Sequence, residues 1–325
     1  MRRALITGAS GFAGRHLARW LAASGAWELI GLSARPHTPG PELHHHLTCD
    51  LLNADLTRRT VLHWRPDVIF HLAAASYVPR SFSDPAGTLV NNVVGQVNLL
   101  EAARLLDPPP TVLIVSSSDV YGLVYPHELP VTETQPFRPV SPYGVSKLAQ
   151  DMLGLQYHLS YRMPVVRVRP FSHVGPEQSD RFAIASFARQ IAEAEAGLAP
   201  PLLLVGNLDV ERDVLDVRDV VRAYELVARP DLAGEVFNIA AGHSWSMRDI
   251  VARLLAMATV SMEVRRDPAR FRPTDISVLS GDATALREAT GWVPQIPLEK
   301  TLSDTLEYWR KRVRRCHRTA PSQEH

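Results

Sequence analysis

Short apolar runs alternate with segments of helical periodicity through the first half of the chain. The apolar runs predict strands at residues 4–7, 28–32, 47–49, 67–72, 111–115 and 164–168. The helical pattern covers residues 12–24, 54–64, 85–106 and 142–161, and in the first of these Leu17, Trp20 and Leu21 share one face. Strands that alternate with helices of this length are typical of an α/β fold with a doubly wound parallel sheet, which we therefore expect.

The alternation becomes less regular after Pro170. Helical patterns near residues 184–196, 217–228 and 248–257 are separated by loops that contain proline and glycine. We predict a doubly wound domain at residues 1–170, to which later segments at about 210–240 return, and a smaller C-terminal lobe at residues 171–310. Residues 311–325 are polar and basic, and we expect them to form a flexible tail.

Composition limits the location and the partners of the protein. The 325 residues are 46% hydrophobic, which is enough for a large core, and the net charge of +1 favours neither nucleic acid nor an anionic membrane as a partner. No apolar stretch reaches the roughly 18 residues that a membrane helix needs. The two cysteines, Cys49 and Cys316, have no disulfide-framework or metal-ligand spacing, so we expect a cytoplasmic protein.

Three consecutive histidines, His44, His45 and His46, form a tract of the kind found in some metal sites. Neighbouring residues of an extended chain point to opposite faces, however, and so three adjacent rings do not converge on one ion. We therefore interpret the tract as a loop that enters a strand and predict no metal site.

The first predicted strand and the first predicted helix are joined by a glycine-rich loop at residues 7–14 (Thr-Gly-Ala-Ser-Gly-Phe-Ala-Gly). Gly8 permits the tight turn, Gly11 lets a pyrophosphate approach the backbone, and Gly14 lets the helix pack closely on the sheet. The helix N-terminus adds free N–H groups and a positive dipole. In this strand–turn–helix context the loop predicts a Rossmann-type dinucleotide site.

The end of the second predicted strand indicates which dinucleotide binds. A site selective for NAD usually places a carboxylate there, on the ribose hydroxyls. The chain instead has Ser33 and Arg35, which suit a 2′-phosphate, so we favour NADP(H) and keep NAD(H) as the alternative. Asp50, after the third strand, allows two interpretations: it accepts hydrogen bonds from the adenine amine, or it caps the helix that follows.

Tyr143 and Lys147 stand four residues apart at the start of a predicted helix. Residues at this spacing share a helix face, so the phenol and the ammonium reach one pocket. A nearby cation favours the phenolate, and we expect this to lower the pKa of Tyr143 toward neutrality. Ser117 follows the strand at 111–115, at the carboxyl edge where ligands of such sheets bind, and is placed to hold a substrate oxygen.

With these motifs the chain resembles the extended short-chain dehydrogenase/reductase family, in its nucleotide-sugar branch, across nearly its whole length. Tyr-x-x-x-Lys with an upstream serine and an N-terminal glycine loop is the signature of that family. The resemblance implies an oxidoreductase in which Ser117, Tyr143 and Lys147 are catalytic and Lys147 also holds the nicotinamide ribose. The full set of cofactor contacts that we expect is Gly8, Ser10, Gly11, Phe12, Ala13, Gly14, Ser33, Arg35, Asp50, Leu51, Leu72, Ala73, Ala74, Tyr143, Lys147, Phe171 and His173.

Motifs in the second half narrow the resemblance. The order of five motifs is similar to that in GDP-6-deoxy-4-keto-mannose reductases and, less closely, in GDP-mannose 4,6-dehydratases. These motifs lie at residues 169–176, 205–208, 212–219, 272–275 and 291–294. This similarity implies a GDP-sugar substrate whose diphosphate is held by Arg189, Arg212 and Arg272, since guanidinium groups match phosphate oxygens. The family usually has asparagine at the position of Ser172. The other substrate contacts that we expect are Ser76, Ser118, Asp119, Ser172 and Asn207.

The choice between reductase and dehydratase depends on the residue two positions after the catalytic serine. Related dehydratases carry glutamate there, to act at C5 and C6 of the sugar, whereas this chain has the shorter Asp119. We therefore predict NADPH-dependent reduction of the C4 keto group of a GDP-4-keto-6-deoxyhexose, from GDP-4-dehydro-6-deoxy-D-mannose to GDP-D-rhamnose or its C4 epimer.

Other functions and the oligomeric state stay open at this point. GDP-mannose 4,6-dehydratase activity is the first alternative, and a nucleotide-sugar 4-epimerase and a non-catalytic NADP(H) sensor are further ones. By analogy with relatives, the helices at 85–106 and 142–161 predict a homodimer, with a tetramer as the alternative.

Overall fold

A seven-stranded parallel sheet lies at the centre of this computed structural model, which describes residues 1–36, 40–271 and 276–319. The strands of the described chain are β1 (Arg2–Thr7), β2 (Trp27–Ser33), β3 (His45–Thr48), β4 (Val68–His71), β5 (Thr111–Val115), β6 (Val165–Pro170), β7 (Ser172–Val174), β8 (Leu202–Val205), β9 (Glu211–Arg212), β10 (Val214–Asp216), β11 (Val236–Ile239), β12 (Trp245–Ser246), β13 (Glu263–Arg266) and β14 (Val278–Leu279). The main sheet has the order β11-β6-β5-β4-β1-β2-β3.

The described chain has helices on both faces of this sheet and, after β6, in a separate cluster. They are α1 (Phe12–Ala23), α2 (Ala54–Trp64), α3 (Val78–Ser83), α4 (Pro85–Leu89), α5 (Gly95–Ala103), α6 (Pro142–Tyr161), α7 (Ala183–Glu195), α8 (Val217–Val227), α9 (Met247–Ala256), α10 (Thr284–Thr290) and α11 (Leu298–Thr319). Their alternation with parallel strands confirms the predicted doubly wound α/β fold.

Alternate residues of the central strands pack on opposite sides of the sheet. Leu5 and Ile69 join a buried cluster with residues of α2, α5 and α6, whereas Ile6 and Phe70 join a second cluster with residues of α1 and α8. All four side chains are fully buried. Burial of such a side chain contributes about 1.5–3 kcal/mol, which explains why the apolar runs in the sequence marked the strands so well.

The predicted helix at 85–106 is not one continuous α-helix. The chain forms α4, then a π-helical turn at Val90–Val94, and then α5. A π-helical turn inserts one residue into the helical repeat, and such turns are frequent at functional sites. Here Asn91 in the turn lines the large cavity described below.

The end of the chain also differs from the sequence prediction. Helix α11 continues to Thr319, so residues 311–319 form its last turns, and the flexibility of this part stays a prediction. Val313 is buried against the C-terminal lobe, which gives the last turns an apolar contact. Residues 320–325 of the predicted tail lie outside the described residues.

The segment after β6 forms a separate apolar cluster and also returns to the main sheet. Helices α7, α9 and α11 share a buried cluster that includes Phe187, Leu254 and Leu302. Strand β11 pairs in parallel with β6 at the edge of the main sheet, and α8 packs on the same side as α1. The chain therefore crosses between the two parts, and a boundary at residue 170 stays a prediction.

The described residues form neither a membrane-spanning helix nor a metal-binding cluster. No helix in the described ranges is long and apolar enough to cross a membrane. In the same part of the chain, no cluster of three His, Cys, Asp or Glu side chains is arranged to hold a metal ion. The three consecutive histidines contact different partners: His44 accepts from the N–H of Leu29, His45 lies 3.2 Å from Glu28, and His46 lies 3.2 Å from Ser33.

Candidate active site

A cavity of about 950 Å³ opens along the carboxyl edge of the main sheet and extends to the C-terminal lobe. Most of the residues expected from the sequence line it together: Gly8, Ser10, Gly11, Phe12, Ala13, Gly14, Ser33, Asp50, Leu51, Leu72, Ala73, Ala74, Ser76, Ser117, Ser118, Asp119, Tyr143, Lys147, Phe171, Ser172, His173, Asn207 and Arg212. Arg35 and Arg189 are not part of the lining. Arg272 lies outside the described residues.

The glycine loop lies at the start of α1 and touches the end of β4. Gly8 has φ +71°, and a Cβ at this position would lie 2.9 Å from the backbone nitrogen of Ala73. A Cβ on Gly14 would overlap the carbonyl oxygen of Gly8. Both contacts are with backbone atoms that cannot rotate away, so the turn requires glycine at both positions.

The N-terminus of α1 faces the cavity with its N–H groups available. Within the described chain, the cap residue Gly11 makes no side-chain capping bond and the first turn carries no acidic residue. The unpaired N–H groups and the helix dipole therefore favour an anion. Together with the space that the glycines leave, this arrangement fits the pyrophosphate of a dinucleotide.

The end of β2 supplies donors and no carboxylate. Ser33 is buried, lines the cavity and lies 3.2 Å from Nε2 of His46. Arg35 is exposed, just beyond the lining residue Ala34. A hydroxyl and a nearby guanidinium suit a 2′-phosphate better than the two ribose hydroxyls of NAD.

Asp50 does not cap the helix that follows it. Asn53 caps α2 by accepting a hydrogen bond from the N–H of Leu56 at 3.0 Å. The Oδ1 atom of Asp50 accepts from the N–H of Leu52 at 3.0 Å, and Asp50 lines the cavity. Of the two interpretations left open by the sequence, the geometry favours the one in which Asp50 faces a ligand.

Ser117, Tyr143 and Lys147 come together in the cavity. Ser117 follows β5, and its side chain lines the cavity together with the phenol of Tyr143. Tyr143 lies in the first turn of α6, where Ser141 caps the helix by accepting from the N–H of Gly144 at 3.0 Å. Lys147 is one turn further along the same face. The three side chains therefore line one cavity, as their spacing in the sequence indicates, and their roles stay predictions.

The pKa of Tyr143 differs from the expectation. Burial raises the pKa of Tyr143 far above its usual value, Asp119 raises it further, and the hydrogen bond with Ser117 opposes both. The expected lowering by Lys147 is wrong for this structure, because burial dominates. Burial also lowers the pKa of Lys147 to about 7, against the effect of Asp151. A phenol of high pKa keeps its proton, which is the state that a general acid needs.

Lys147 is held by two acceptors inside the protein. Its Nζ donates to the carbonyl oxygen of Val115 and to Oε1 of Gln150, both at 2.8 Å. An ammonium carries three N–H groups, so one remains for a ligand. Lys147 lines the cavity although only 4% of its surface is exposed.

Three arginines line the lobe side of the cavity within the described residues, and only one of them was predicted. Arg212 donates to the carbonyl oxygens of Glu211 and Ile276, at 2.8 and 2.6 Å. Arg270 donates to Ser186 and to the carboxylate of Asp267, each at 3.2 Å. Arg181 is exposed, and its guanidinium carbon lies 6.0 Å from the ring centroid of Tyr77. These cations give this end of the cavity the character of an anion site.

Arg189 does not reach the cavity, which corrects the expectation that it lines a diphosphate site. Its guanidinium forms ion pairs with Asp180 at 3.1 Å and with Glu193 at 2.8 Å. Glu193 lies one helical turn after Arg189 on α7, so the pair is local to the helix. The two carboxylates hold Arg189, which is partly buried, away from the cavity lining.

The segment after β6 forms a wall of the cavity next to the glycine loop. The rings of Phe12 and His173 are stacked with centroids 6.0 Å apart. Burial lowers the pKa of His173, against the hydrogen bond with the carbonyl oxygen of Phe171. Ser172 is exposed within the lining, and Oδ1 of Asn207 accepts from the N–H of Asp209 at 3.0 Å.

Several residues of the site have no motif that would have identified them. Arg181 and Arg270 come from loops, and only the folded lobe brings them to the cavity. Tyr224 of α8 also lines it from within the core. Gln150 had a usable signal, since it stands three residues after Lys147 on the same helix.

Comparisons with known proteins agree along most of the chain. Residues 5–305 match the family described as GDP-mannose 4,6 dehydratase. The GDP-6-deoxy-D-mannose reductase of Pseudomonas aeruginosa is 40% identical over 313 residues, covering 96% of this chain and 99% of that protein. The UDP-glucose 4-epimerase of Mycolicibacterium smegmatis is 32% identical, covering 95% of this chain and 99% of that protein.

A solved structure gives the same result for the fold. The structure of RMD from Pseudomonas aeruginosa complexed with NADPH has a TM-score of 0.85 and 39% identity to this chain. The match covers 96% of this chain and 100% of that one. The similarity therefore extends over the glycine loop, the Tyr143–Lys147 helix and the C-terminal lobe together.

Proposed function

The chain belongs to the GDP-mannose 4,6 dehydratase family, and from this premise we propose that it is an NADPH-dependent reductase of a GDP-4-keto-6-deoxyhexose. The reaction converts GDP-4-dehydro-6-deoxy-D-mannose to GDP-D-rhamnose or its C4 epimer. The observation that carries the proposal is that Ser117, Tyr143 and Lys147 line one cavity, with Lys147 one helical turn after Tyr143 on α6. The similarity to a protein named as a GDP-6-deoxy-D-mannose reductase supports the same direction.

The chain's own residues handle the proton of this reaction. NADPH, when bound, supplies the hydride. Tyr143 keeps its proton at Oη, because burial raises its pKa, and passes that proton to the oxygen at C4 of the sugar. Ser117 donates a hydrogen bond to the same oxygen and orients it. Lys147 stabilises the phenolate that Tyr143 becomes, and it offers its third N–H to the nicotinamide ribose.

We assign the dinucleotide to the glycine-loop end of the cavity. Gly8, Gly11 and Gly14 leave room for the pyrophosphate at the N-terminus of α1. Ser33 and Arg35 are the proposed ligands of a 2′-phosphate, and NADH is the alternative cofactor. The similar structure from Pseudomonas aeruginosa is described as complexed with NADPH, which supports this choice.

We assign the nucleotide-sugar diphosphate to the lobe end. Arg181, Arg212 and Arg270 are the candidates among the described residues, because all three line the cavity. A guanidinium can pair two N–H groups with two phosphate oxygens, so two or three such groups offset the charge of a diphosphate. The sugar would then extend from these arginines toward Ser117 and Tyr143.

Dehydration of GDP-mannose is the second candidate, because the matching family carries that description. A dehydratase must remove a proton at C5 and deliver one to the leaving hydroxyl at C6. Asp119 is the residue available for this work, and it has one methylene fewer than the glutamate of related dehydratases. The shorter reach favours reduction.

A product assay tests the proposal. The protein is incubated with GDP-4-dehydro-6-deoxy-D-mannose and NADPH, and the product is identified by NMR. Formation of a GDP-6-deoxyhexose with matching consumption of NADPH supports the reductase. A parallel incubation with GDP-mannose and NADP⁺ alone should give no 4-keto product. A 4-keto product in that incubation would assign the protein as a dehydratase instead.

We further propose a homodimer and a cytoplasmic location. Val90 and Val94 in the π-helical turn, and Val145 and Tyr161 on α6, are large apolar side chains left exposed by the monomer. They lie on the two helical segments for which the sequence predicts the dimer contact, and their burial in a second copy would remove apolar surface from water. Light scattering after gel filtration measures the mass and tests the dimer against a tetramer.

A further inference from the structure

A chain of buried hydrogen bonds connects Lys147 to the glycine loop from behind the cavity. Oε1 of Gln150 accepts from Nζ of Lys147 at 2.8 Å, and Nε2 of Gln150 lies 3.3 Å from Nε2 of His71. Nδ1 of His71 lies 2.9 Å from Oγ1 of Thr7, the residue before Gly8. Thr7, His71, Gln150 and Lys147 each expose 4% of their surface or less. We call this set the Lys147 relay.

The polarity of the donors determines the direction of the Lys147 relay. An ammonium can only donate, so the side-chain amide of Gln150 presents its Oε1 to Lys147. The Nε2 of the same amide therefore points toward His71. That nitrogen also only donates, so Nε2 of His71 accepts and the imidazole carries its proton on Nδ1. Nδ1 then donates to Thr7. If the ring of His71 were protonated at both nitrogens, its Nε2–H would face the amide N–H of Gln150, and two donors would meet. Burial and, to a smaller extent, the charge of Lys147 lower the pKa of His71 to about 3, so the ring is neutral.

We propose that Gln150 and His71 are positioning residues that keep the ammonium of Lys147 charged and aimed so that one N–H stays turned toward the cavity. Neither residue lines the cavity, so both act through Lys147. The inference rests on the proposed function, in which Lys147 holds the cofactor ribose and supports Tyr143. It adds two residues that neither the Tyr-x-x-x-Lys motif nor the glycine loop contains.

The other groups around Lys147 leave Gln150 as the decisive side-chain acceptor. The titratable groups among the described neighbours are Tyr143 and Asp151 on α6 and His71 on β4. The end of β5 presents the carbonyl of Val115 to the ammonium, and the hydroxyl of Ser116 donates to the backbone carbonyl of Lys147. Asp151 raises the pKa of Lys147, but its two oxygens already accept from Arg167 and Arg169. Asp119 acts on Tyr143.

The composition of the chain makes the titration of Lys147 directly measurable. The sequence contains three lysines, Lys147, Lys300 and Lys311, so lysine labelled with ¹³C at Cε gives three signals in NMR spectra. The variant Lys147→Arg assigns the signal of Lys147. The experiment uses the full chain without added ligands, so its result does not depend on the substrate.

The variants of Gln150 should move this titration in opposite directions. Gln150→Leu removes the oxygen that accepts from the ammonium of Lys147, so the titration midpoint of Lys147 should fall by about one pH unit. This is a tenfold change in the deprotonation equilibrium, as expected for the loss of one hydrogen bond to a charged group. Gln150→Glu adds a negative charge, so the midpoint should rise by at least about one pH unit. His71→Leu should lower it less, and His71→Asn, which keeps an acceptor and a donor, should restore the wild-type value.

A neighbouring buried glutamine provides the matched control. Gln96 is also fully buried, but its Nε2 donates to the backbone carbonyl of Gln150 and to none of the side chains of the Lys147 relay. Gln96→Leu should therefore leave the midpoint of Lys147 unchanged while perturbing the same helix pair. If Gln150→Leu does not fold, Gln150→Glu and His71→Asn still decide the question. Equal midpoints in wild type and Gln150→Glu would overturn the proposal.

Enzyme kinetics then separate this inference from the proposed function. With GDP-4-dehydro-6-deoxy-D-mannose and NADPH, Gln150→Leu should reduce kcat about tenfold. The plot of kcat against pH should contain a limb set by the pKa of Lys147. Gln150→Leu should move this limb to lower pH, and Gln150→Glu should move it to higher pH. If the variants shift the NMR midpoint of Lys147 but keep the turnover and the pH dependence of the wild type, the positioning role is rejected and the proposed function stands. Absence of turnover in the wild type rejects the proposed function and leaves the NMR result intact.

Discussion

A Cβ on Gly14 would overlap the carbonyl oxygen of Gly8, so the first turn of α1 rests directly on the glycine loop. The Cα of Ala9 would lie at 2.9 Å from the same Cβ. Because both neighbours are backbone atoms, no side-chain rotation relieves the contact. This close packing is what brings the N–H groups at the start of α1 to the cavity.

Gly14→Ala should therefore weaken NADPH binding, since the added methyl pushes α1 away from the loop. A misplacement of this kind costs about 10- to 100-fold, which fluorescence titration of NADPH would measure as an increase in Kd. Gly25→Ala is the matched control: Gly25 has φ +65° and a Cβ added there would meet nothing within 4 Å, so it should lower stability by about 1 kcal/mol without changing Kd. An unchanged Kd for Gly14→Ala would place the pyrophosphate elsewhere.

Tyr143→Phe should abolish most of the turnover and leave NADPH binding intact. The substitution removes the proton donor and keeps the ring in its buried position. General acid catalysis contributes about 10²- to 10⁴-fold, so kcat should fall by that factor. Steady-state assays with NADPH titrations on the same protein preparation check both parts. A variant with wild-type turnover would instead favour a non-catalytic NADP(H) sensor.

Asp119→Glu should give the protein some activity on GDP-mannose. The substitution restores the residue of related dehydratases and extends the carboxylate by one carbon–carbon bond, about 1.5 Å, toward C5 and C6 of the sugar. The expected result is formation of 4-keto product from GDP-mannose and NADP⁺ by Asp119→Glu, with none from the wild type or from Asp119→Asn. Product formed equally by all three proteins would show that reach at this position does not decide the reaction.

The central sheet and the cluster of Ser117, Tyr143 and Lys147 could be predicted because their determinants are local. Strand β5 and helix α6 have the bounds that the apolar pattern indicated, and Tyr143 and Lys147 share a face through their spacing alone. Each of these features depends on neighbours a few residues away in the chain, which is the range that sequence patterns report.

The lobe end of the cavity was less accessible from the sequence. Arg181 and Arg270 reach it only because separate loops fold together, and neither loop carries a motif. Arg189 was misplaced even though Glu193, four residues later, offers an ion pair on the same helix. The spacing of Arg189 and Glu193 was visible in the sequence. The ion pair that it allows is favoured over an interaction of Arg189 with a ligand phosphate, because the carboxylate already lies in contact with the guanidinium.

Asp151→Asn should destabilise the fold. Its carboxylate accepts from Arg167 at 3.0 Å and from Arg169 at 2.8 Å, and the three side chains are between 0% and 6% exposed. Neutralising the acid leaves two buried cations without a counter-charge, which costs about 3–5 kcal/mol. Urea denaturation measures the free energy of unfolding. Asp55→Asn, which breaks an exposed pair with Arg58, is the control and should leave the urea midpoint unchanged. A small effect of Asp151→Asn would mean that water reaches the two arginines around Asp151.

The arginines offer the sharpest test of where the nucleotide sugar binds. Arg270→Ala should raise the KM for GDP-4-dehydro-6-deoxy-D-mannose by about 10- to 100-fold, because it removes charge-assisted hydrogen bonds to a phosphate. The kcat value and the KM for NADPH should stay near those of the wild type, since Arg270 lies at the lobe end of the cavity and the glycine loop at the other.

Arg189→Ala is the matched control for this prediction, because it removes the same charge from a side chain that Asp180 and Glu193 hold outside the cavity. It should change neither KM. A raised KM for the nucleotide sugar in Arg189→Ala, with no effect in Arg270→Ala, would restore the diphosphate site expected from the sequence and would require α7 to turn Arg189 inward when the substrate binds.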